Sequence, residues 1–192
     1  AGLRFSLTTS MSQNTQSKEV NITLPTFTLS TGRFYPFTKE GTPKKGIIKN
    51  INLQYSSKAE NRTTLADDLL FKKGMFDNAQ NGMKHTIPIS TNFKAFKYFS
   101  ISMGGQYQED WVLKTKQYSD FNEIDGVVTE EIKGFDRFAM YNLSASVTTK
   151  IYGTVNFKTD KKIQSIRHTI TPSLSYSNSP SFEKYYDTYI ID

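Results

Sequence analysis

The chain has no cysteine, so a disulfide scaffold, a thiolate metal site and a cysteine nucleophile are all excluded. It also has no long apolar run. Stretches such as Leu69-Leu70-Phe71 are far short of the ~20 residues that a spanning helix needs. Alanine, the best helix former, occurs only 7 times in 192 residues, against 19 Ser, 22 Thr and 15 Ile. Histidine occurs twice. No charged n-region with an apolar core follows Ala1, so no signal peptide is read there. What is abundant is Thr, Ile, Tyr and Phe, with aromatics at 14%, which suits a pleated, half-buried surface. Composition thus points to an all-β protein.

Alternation with period two dominates and persists for ten or more residues at a time. Leu3, Phe5, Leu7 and Met11 share one parity, with Arg4, Ser6, Thr8, Ser10 and Ser12 on the other. Val20, Ile22 and Leu24 begin a second strand. Beyond Pro25 its apolar set moves to Phe27 and Leu29, which predicts a strand-bending bulge at the proline. Residues 32–46 read as loop, and Ile47, Ile51, Leu53 and Tyr55 predict a third strand. Residues 58–82 lack alternation, with a short helix expected over Thr64–Phe71. A fourth strand runs from Met83 to Phe93, and a short turn lies near Lys94–Lys97. The fifth runs from Phe99 to Leu113 and enters an acidic segment with a hairpin tip expected at Asp125-Gly126. Ala139–Val147 and Ile166–Tyr176 give the sixth and seventh, with 150–162 as a connection. No repeat, linker or domain boundary appears.

Strands of about ten residues match the span of a tilted transmembrane strand, whereas sandwich strands average 5–6. The polar faces carry Ser, Thr, Asn and Gln, as a hydrated lumen would. Both architectures fit the alternation, and the barrel fits the strand length better. Connections alternate between short and long, which orients the strands with short turns on the periplasmic side and longer loops outside. The inner segment 33–49 is then basic, with Arg33, Lys39, Lys44, Lys45 and Lys49 against Glu40, although 32–46 is long for a periplasmic turn. The outer segment 109–136 is acidic. Seven strands are odd and few for a complete barrel, and an open sheet would leave bare edges in lipid. The expectation is an antiparallel transmembrane β-barrel fragment occupying 1–192, about seven long strands in up-and-down order, with no second domain.

The chemistry-bearing residues are sparse. His85 and His168 lie on separate strands without a ligand set, and so read as structural or interfacial. Asp67-Asp68 and Glu130-Glu131 are strand or loop neighbours, unsuited to paired acid–base work. Gly104-Gly105 lacks the Gly-Lys-Ser/Thr of a phosphate loop and is expected to make room for a bulky neighbour across the sheet. The sequons at Asn21, Asn61 and Asn142 are chance matches. Net charge is +6, but the lysines are dispersed and no RNP-type platform appears, so nucleic acid is not expected as a partner. Arg4 and Arg167 are candidate lumen-facing contacts for a phosphorylated glycolipid, by charge-assisted bonds to phosphate, or else partners of lumen carboxylates. Tyr107, Trp111, Tyr141 and Tyr176 are candidate interfacial aromatics. No cofactor and no enzymatic activity is expected.

Three stretches, TLPTFTLSTGRFYPF (23–37), GFDRFAMYNLSASVTTKIYGTVNF (134–157) and IRHTITPSLSYSNSPSF (166–182), resemble the LptD family of lipopolysaccharide-assembly outer-membrane proteins in its Bacteroidetes-type form. The resemblance implies an internal piece of a large outer-membrane barrel that inserts lipopolysaccharide into the outer leaflet through a lateral opening. It implies an LptE-like plug lipoprotein and a periplasmic lipopolysaccharide-bridge protein as partners, with membrane lipids around the wall. The family's opening is associated with proline-weakened strands, but Pro25 cannot be placed at a seam from sequence. A different outer-membrane barrel, such as a porin or receptor, and a soluble β-sandwich binding module are the alternatives.

Overall fold

The computed structural model describes residues 2–44, 46–120, 127–157, 163–186 and 188. Ten strands form among the described residues: β1 (Leu3–Asn14), β2 (Glu19–Thr31), β3 (Asn52–Leu53), β4 (Ser56–Ala66), β5 (Gln80–Ala95), β6 (Phe99–Tyr118), β7 (Thr129–Thr149), β8 (Ile151–Asn156), β9 (Ser165–Ile170) and β10 (Ser173–Asn178). Among the described residues the only helical pieces are three single 3-10 turns. Every pairing is antiparallel, in the order β1-β2-β4-β5-β6-β7-β10 with β3 beside β5, and β8 paired with β9.

The registers reduce these ten pieces to seven long strands. Asn52↔Ser90 and Ser56↔Thr86 belong to one register, so β3 and β4 form a single strand against β5. The gap falls opposite Pro88, which has no N–H to offer; Gln54 N–H instead donates to its carbonyl at 3.2 Å. Ser173↔Thr148 and Ile151↔Ile170 likewise share one register, so β8 continues β7 and β10 continues β9. Pro172 makes the gap there, and its carbonyl accepts from Thr149 N–H at 3.2 Å. The result is an open, up-and-down antiparallel sheet whose edges are β1 and the β9–β10 strand.

A bulge sits at Pro25. The β1–β2 register shifts between Thr8 and Ser10, and the β2–β4 register between Thr23 and Thr26. The extra residue in β2 returns Ile22 and Phe27 to one face, which is why the apolar parity changes at the proline.

Three expectations are corrected. The predicted third strand over 47–55 is a 3-10 turn at Ile48–Asn50 followed by β3, and most of the real strand is β4, inside the stretch that lacks alternation. Its sheet face carries small residues, Ser57, Ala59 and Thr63, because Ser57 and Thr63 are buried under neighbouring side chains and a loop. Small polar side chains erase the pattern there. The helix expected over Thr64–Phe71 is one 3-10 turn at Asp67–Leu69. Thr64 and Leu65 pair with Asn21 and Val20, so the β ladder takes the residues that would have opened the helix. The connection placed at 150–162 is shorter, because β8 continues to Asn156 and Phe157 N–H donates to Gln164 at 2.8 Å. The hairpin tip expected at Asp125-Gly126 lies outside the described residues.

One small core forms. Val20, Ile22 and Leu65 are buried on the apolar face of β2 and β4, with Leu70 and Met75 of the following loop packed over them. Elsewhere that face is open: Leu3, Phe5 and Leu7 are 64–76% exposed, and Leu143 and Leu174 are 56% and 75% exposed. No second sheet covers it among the described residues.

Candidate functional site: a two-faced wall

Strand alternation sorts the chain's chemistry onto two surfaces. On one, β5, β6 and β7 bring together Ile87, Ile89 and Phe93 with Ile101 and Met103 and with Leu143, Ala145 and Val147. Leu174 and Tyr176 of β10 extend this surface. The stretch Phe99–Tyr107 rises about 27 Å at ~3.4 Å per residue, or about 20 Å along the normal at a tilt of ~40°, comparable with the ~25 Å apolar band of outer-membrane barrels.

Gly105 sits inside this band. A Cβ there would come 2.8 Å from Leu143 Cδ2 and 2.9 Å from the Asn142 carbonyl oxygen, so the glycine makes room for the leucine across the sheet.

At the end of the band toward the 119–128 connection, aromatics gather around a polar network. Tyr107 lies opposite Tyr141, and Trp111 opposite Arg137. Glu109 accepts from the Tyr107 hydroxyl at 2.5 Å and from Trp111 Nε1 at 2.7 Å, with Arg137 Nη1 3.6 Å away. The His85 ring lies 4.2 Å from Trp111, centroid to centroid, and its Nδ1 pairs with the Tyr55 hydroxyl at 2.8 Å. Sequence reading selected the aromatics but missed Glu109, Arg137 and Tyr55. The available signal was Glu109, an acid at the same parity as Tyr107 and Trp111.

Tyr185 closes part of an edge. Past Asn178, among the described residues, no strand pairs with this edge of β7, and Pro180 cannot donate to a ladder. The Tyr185 hydroxyl instead accepts from Ala139 N–H at 3.0 Å and donates to the Ala139 carbonyl at 3.1 Å. The amide pointing at its oxygen favours the phenolate and lowers the Tyr185 pKa below the ordinary phenol value, with Lys184 adding to the effect. Tyr185→Phe should therefore speed amide hydrogen exchange at Ala139 while the paired β7–β10 amides keep their protection. Unchanged exchange at Ala139 would show that the hydroxyl does not cap this edge.

The opposite surface is polar and concave where β4, β5, β6 and β7 meet. Lys58 and Glu60 pair at 2.5 Å, Lys84 and Asp110 at 3.9 Å, and Lys114 and Glu131 at 3.8 Å. With Arg62 and Lys116 they line a recess of about 650 Å³. Toward the other end β6 and β7 present hydroxyls and amides on this surface, from Ser102, Gln106, Asn142, Ser144 and Ser146. The arrangement offers charge-assisted and neutral hydrogen bonds to a hydrated, phosphorylated or sugar-like surface.

Arg4 lies on edge strand β1, opposite Ser30 on the polar side. Arg167 lies on β9 opposite Thr154, with its guanidinium carbon 4.3 Å from the Tyr152 ring centre. The two are on opposite edges of the sheet and are not brought together. Neither is ion-paired among the described residues. Tyr176 pairs with Ala145 on β7, and Pro25 sits at the β2 bulge.

A protein-family model described as LptD protein matches residues 1–192, the whole chain. Comparison with curated proteins gives no match, and neither does comparison with solved structures. The family match runs through both faces of the wall and every connection between its strands, and the chain belongs to the LptD protein family.

Proposed function

We propose that the chain is part of the wall of an outer-membrane β-barrel translocon that places lipopolysaccharide in the outer leaflet. Membership of an outer-membrane protein family ties it to lipopolysaccharide transport and assembly there. The observation that carries the reading further is the separation of faces along β5, β6 and β7. One side is apolar across a bilayer-sized height, and the other is hydroxyl, amide and paired charge.

In this reading acyl chains meet the apolar side, while sugars and phosphates meet the wet side. Arg4, Arg167 and the Lys-lined recess supply cationic donors. The wall acts by guidance, without covalent chemistry and without a cofactor. Strands β1 and β9–β10 present free ladder groups that further strands would satisfy, since open edges are not tolerated in hydrocarbon. An LptE-like plug lipoprotein would face the lumen side, and a periplasmic bridge protein would deliver the lipid.

These 192 residues contain no cysteine, so each single cysteine placed in them is read against the same intact protein without it. A membrane-impermeant thiol reagent applied to cells carrying the intact protein should label cysteines at Ser144, Ser146 and Thr148. It should spare those at Leu143, Ala145 and Val147. Uniform protection in cells, with alternation only after lysis, would place the sheet in a soluble compartment and remove the translocon reading.

A further inference from the structure

The long connection between β2 and β3 is held by its own hydrogen bonds and carries both exposed apolar and cationic side chains. Thr38 Oγ1 donates to the Lys49 carbonyl at 2.7 Å, and Asn50 Nδ2 donates to those of Gly46 and Lys44 at 2.8 and 3.3 Å. The Lys44 ammonium sits 3.3 Å from the Tyr35 ring centre. This segment joins the sheet on its apolar side. Thr91, in parity with Ile89 and Phe93, donates from Oγ1 to the Ile47 carbonyl at 2.8 Å. Ile47 and Ile48 nonetheless remain 48% and 63% exposed. Arg33, Lys39, Lys44 and Lys49 face only Glu40 in charge among the described residues of this stretch.

Two residues beyond Lys49, Ile51 opens an apolar groove. It runs along Ile89, Met103, Gly105 and Leu143 to Tyr176, with a volume of about 400 Å³. A lysine-bearing stretch of chain thus leads, as a cationic ledge, into an apolar slot on the apolar face of the sheet.

We infer that this ledge and slot hold one anionic glycerophospholipid of the inner leaflet, its phosphate at Lys44 and Lys49 and an acyl chain along the Ile51–Gly105–Leu143 groove. The inference rests on the barrel reading, which puts the β2–β3 connection at the periplasmic end. Charge complementarity selects the headgroup, since lysines near an anionic leaflet attract it and a zwitterionic lipid offers them little. Continuity with the apolar band selects a lipid over an acidic protein as the occupant. A connection longer than a strand turn requires is thereby accounted for.

Trp111 is the sole tryptophan of these 192 residues, and quenching at position 48 is read as the difference from the Trp111→Phe parent, so that tryptophans elsewhere in the intact protein cancel. The intact protein carrying Trp111→Phe and Ile48→Trp would be placed in nanodiscs with brominated phosphatidylglycerol or brominated phosphatidylcholine. Quenching should favour the anionic lipid by about fivefold for each lysine engaged. That preference should vanish in Lys44→Gln/Lys49→Gln. Equal quenching by both lipids overturns the headgroup assignment. No quenching at position 48, with strong quenching of a Leu174→Trp control, overturns lipid contact and leaves an acidic protein as the occupant. No quenching at either position defeats the barrel reading itself. Displacement by stoichiometric lipopolysaccharide would transfer the site to the transported lipid and overturn the phospholipid assignment. If the Trp111→Phe background is not assembled, lipid retained by the unaltered protein through detergent extraction gives the same comparison. Anionic enrichment lost in the double lysine variant supports the site, and retained lipid of bulk composition overturns it.

Discussion

Gly105→Val is expected to abolish assembly of the sheet, seen as loss of the folded, heat-modifiable form on a denaturing gel. The added Cβ meets Leu143 Cδ2 at 2.8 Å and the Asn142 carbonyl oxygen at 2.9 Å. The leucine can turn away, but the carbonyl belongs to the β6–β7 ladder and cannot move without breaking it. Gly105→Ala, with the smallest side chain, should cost about 1–3 kcal/mol by overpacking. Adding Leu143→Ala should recover only part of that loss, because the backbone contact remains. Gly104→Ala is the internal control. Its nearest atom, the Ile89 carbonyl oxygen, lies at an ordinary 3.5 Å, so the variant should assemble normally. Equal tolerance of alanine at both positions would refute the tight β6–β7 approach.

The second large effect contrasts adjacent residues. Leu143→Arg puts a guanidinium in the apolar band, where a charge at mid-height of a lipid-facing strand costs about 2–4 kcal/mol. Ser144→Arg puts the same group on the polar face beside Ser102 and Gln106, where it stays hydrated. Unfolding in denaturant should show the first variant destabilised by that amount and the second close to the parent. Comparable losses for the two would mean that the faces do not see different solvents.

The parts of this fold that were legible in sequence are those whose apolar face the rest of the described chain leaves open. β1, β5, β6 and β7 write that face as alternation, and the Pro25 bulge is visible as a change of parity. β4 was illegible because its apolar-side positions are covered by the protein itself. Packing under Met75 and neighbouring side chains asks for Ser57 and Thr63, which a periodicity search reads as noise. The 47–55 error has the same root: Ile47 and Ile48 are apolar on account of where a turn lies, so their spacing imitates a strand. At the aromatic belt, Tyr107, Trp111 and Tyr141 were identifiable one by one. The bonds from Glu109 to its neighbours and its approach to Arg137 depend on register across β6 and β7, which no single strand encodes.

The turn at 96–98 has a kinetic consequence. Phe96 and Lys97 both hold left-handed backbone angles, at φ 49° and 65°, and they join β5 to β6 by the closest crossing among the long strands. Closing a short loop costs the least chain entropy, so this hairpin can form before the distant pairings on either side. β7 then has a template along the whole of β6, and β4 a template on β5. Growth from this centre reaches the β9–β10 edge last. β1 can meet β2 early across its own four-residue turn at 15–18, so the β9–β10 strand is the late arrival, free to recruit a neighbour only after the middle of the wall has set its register.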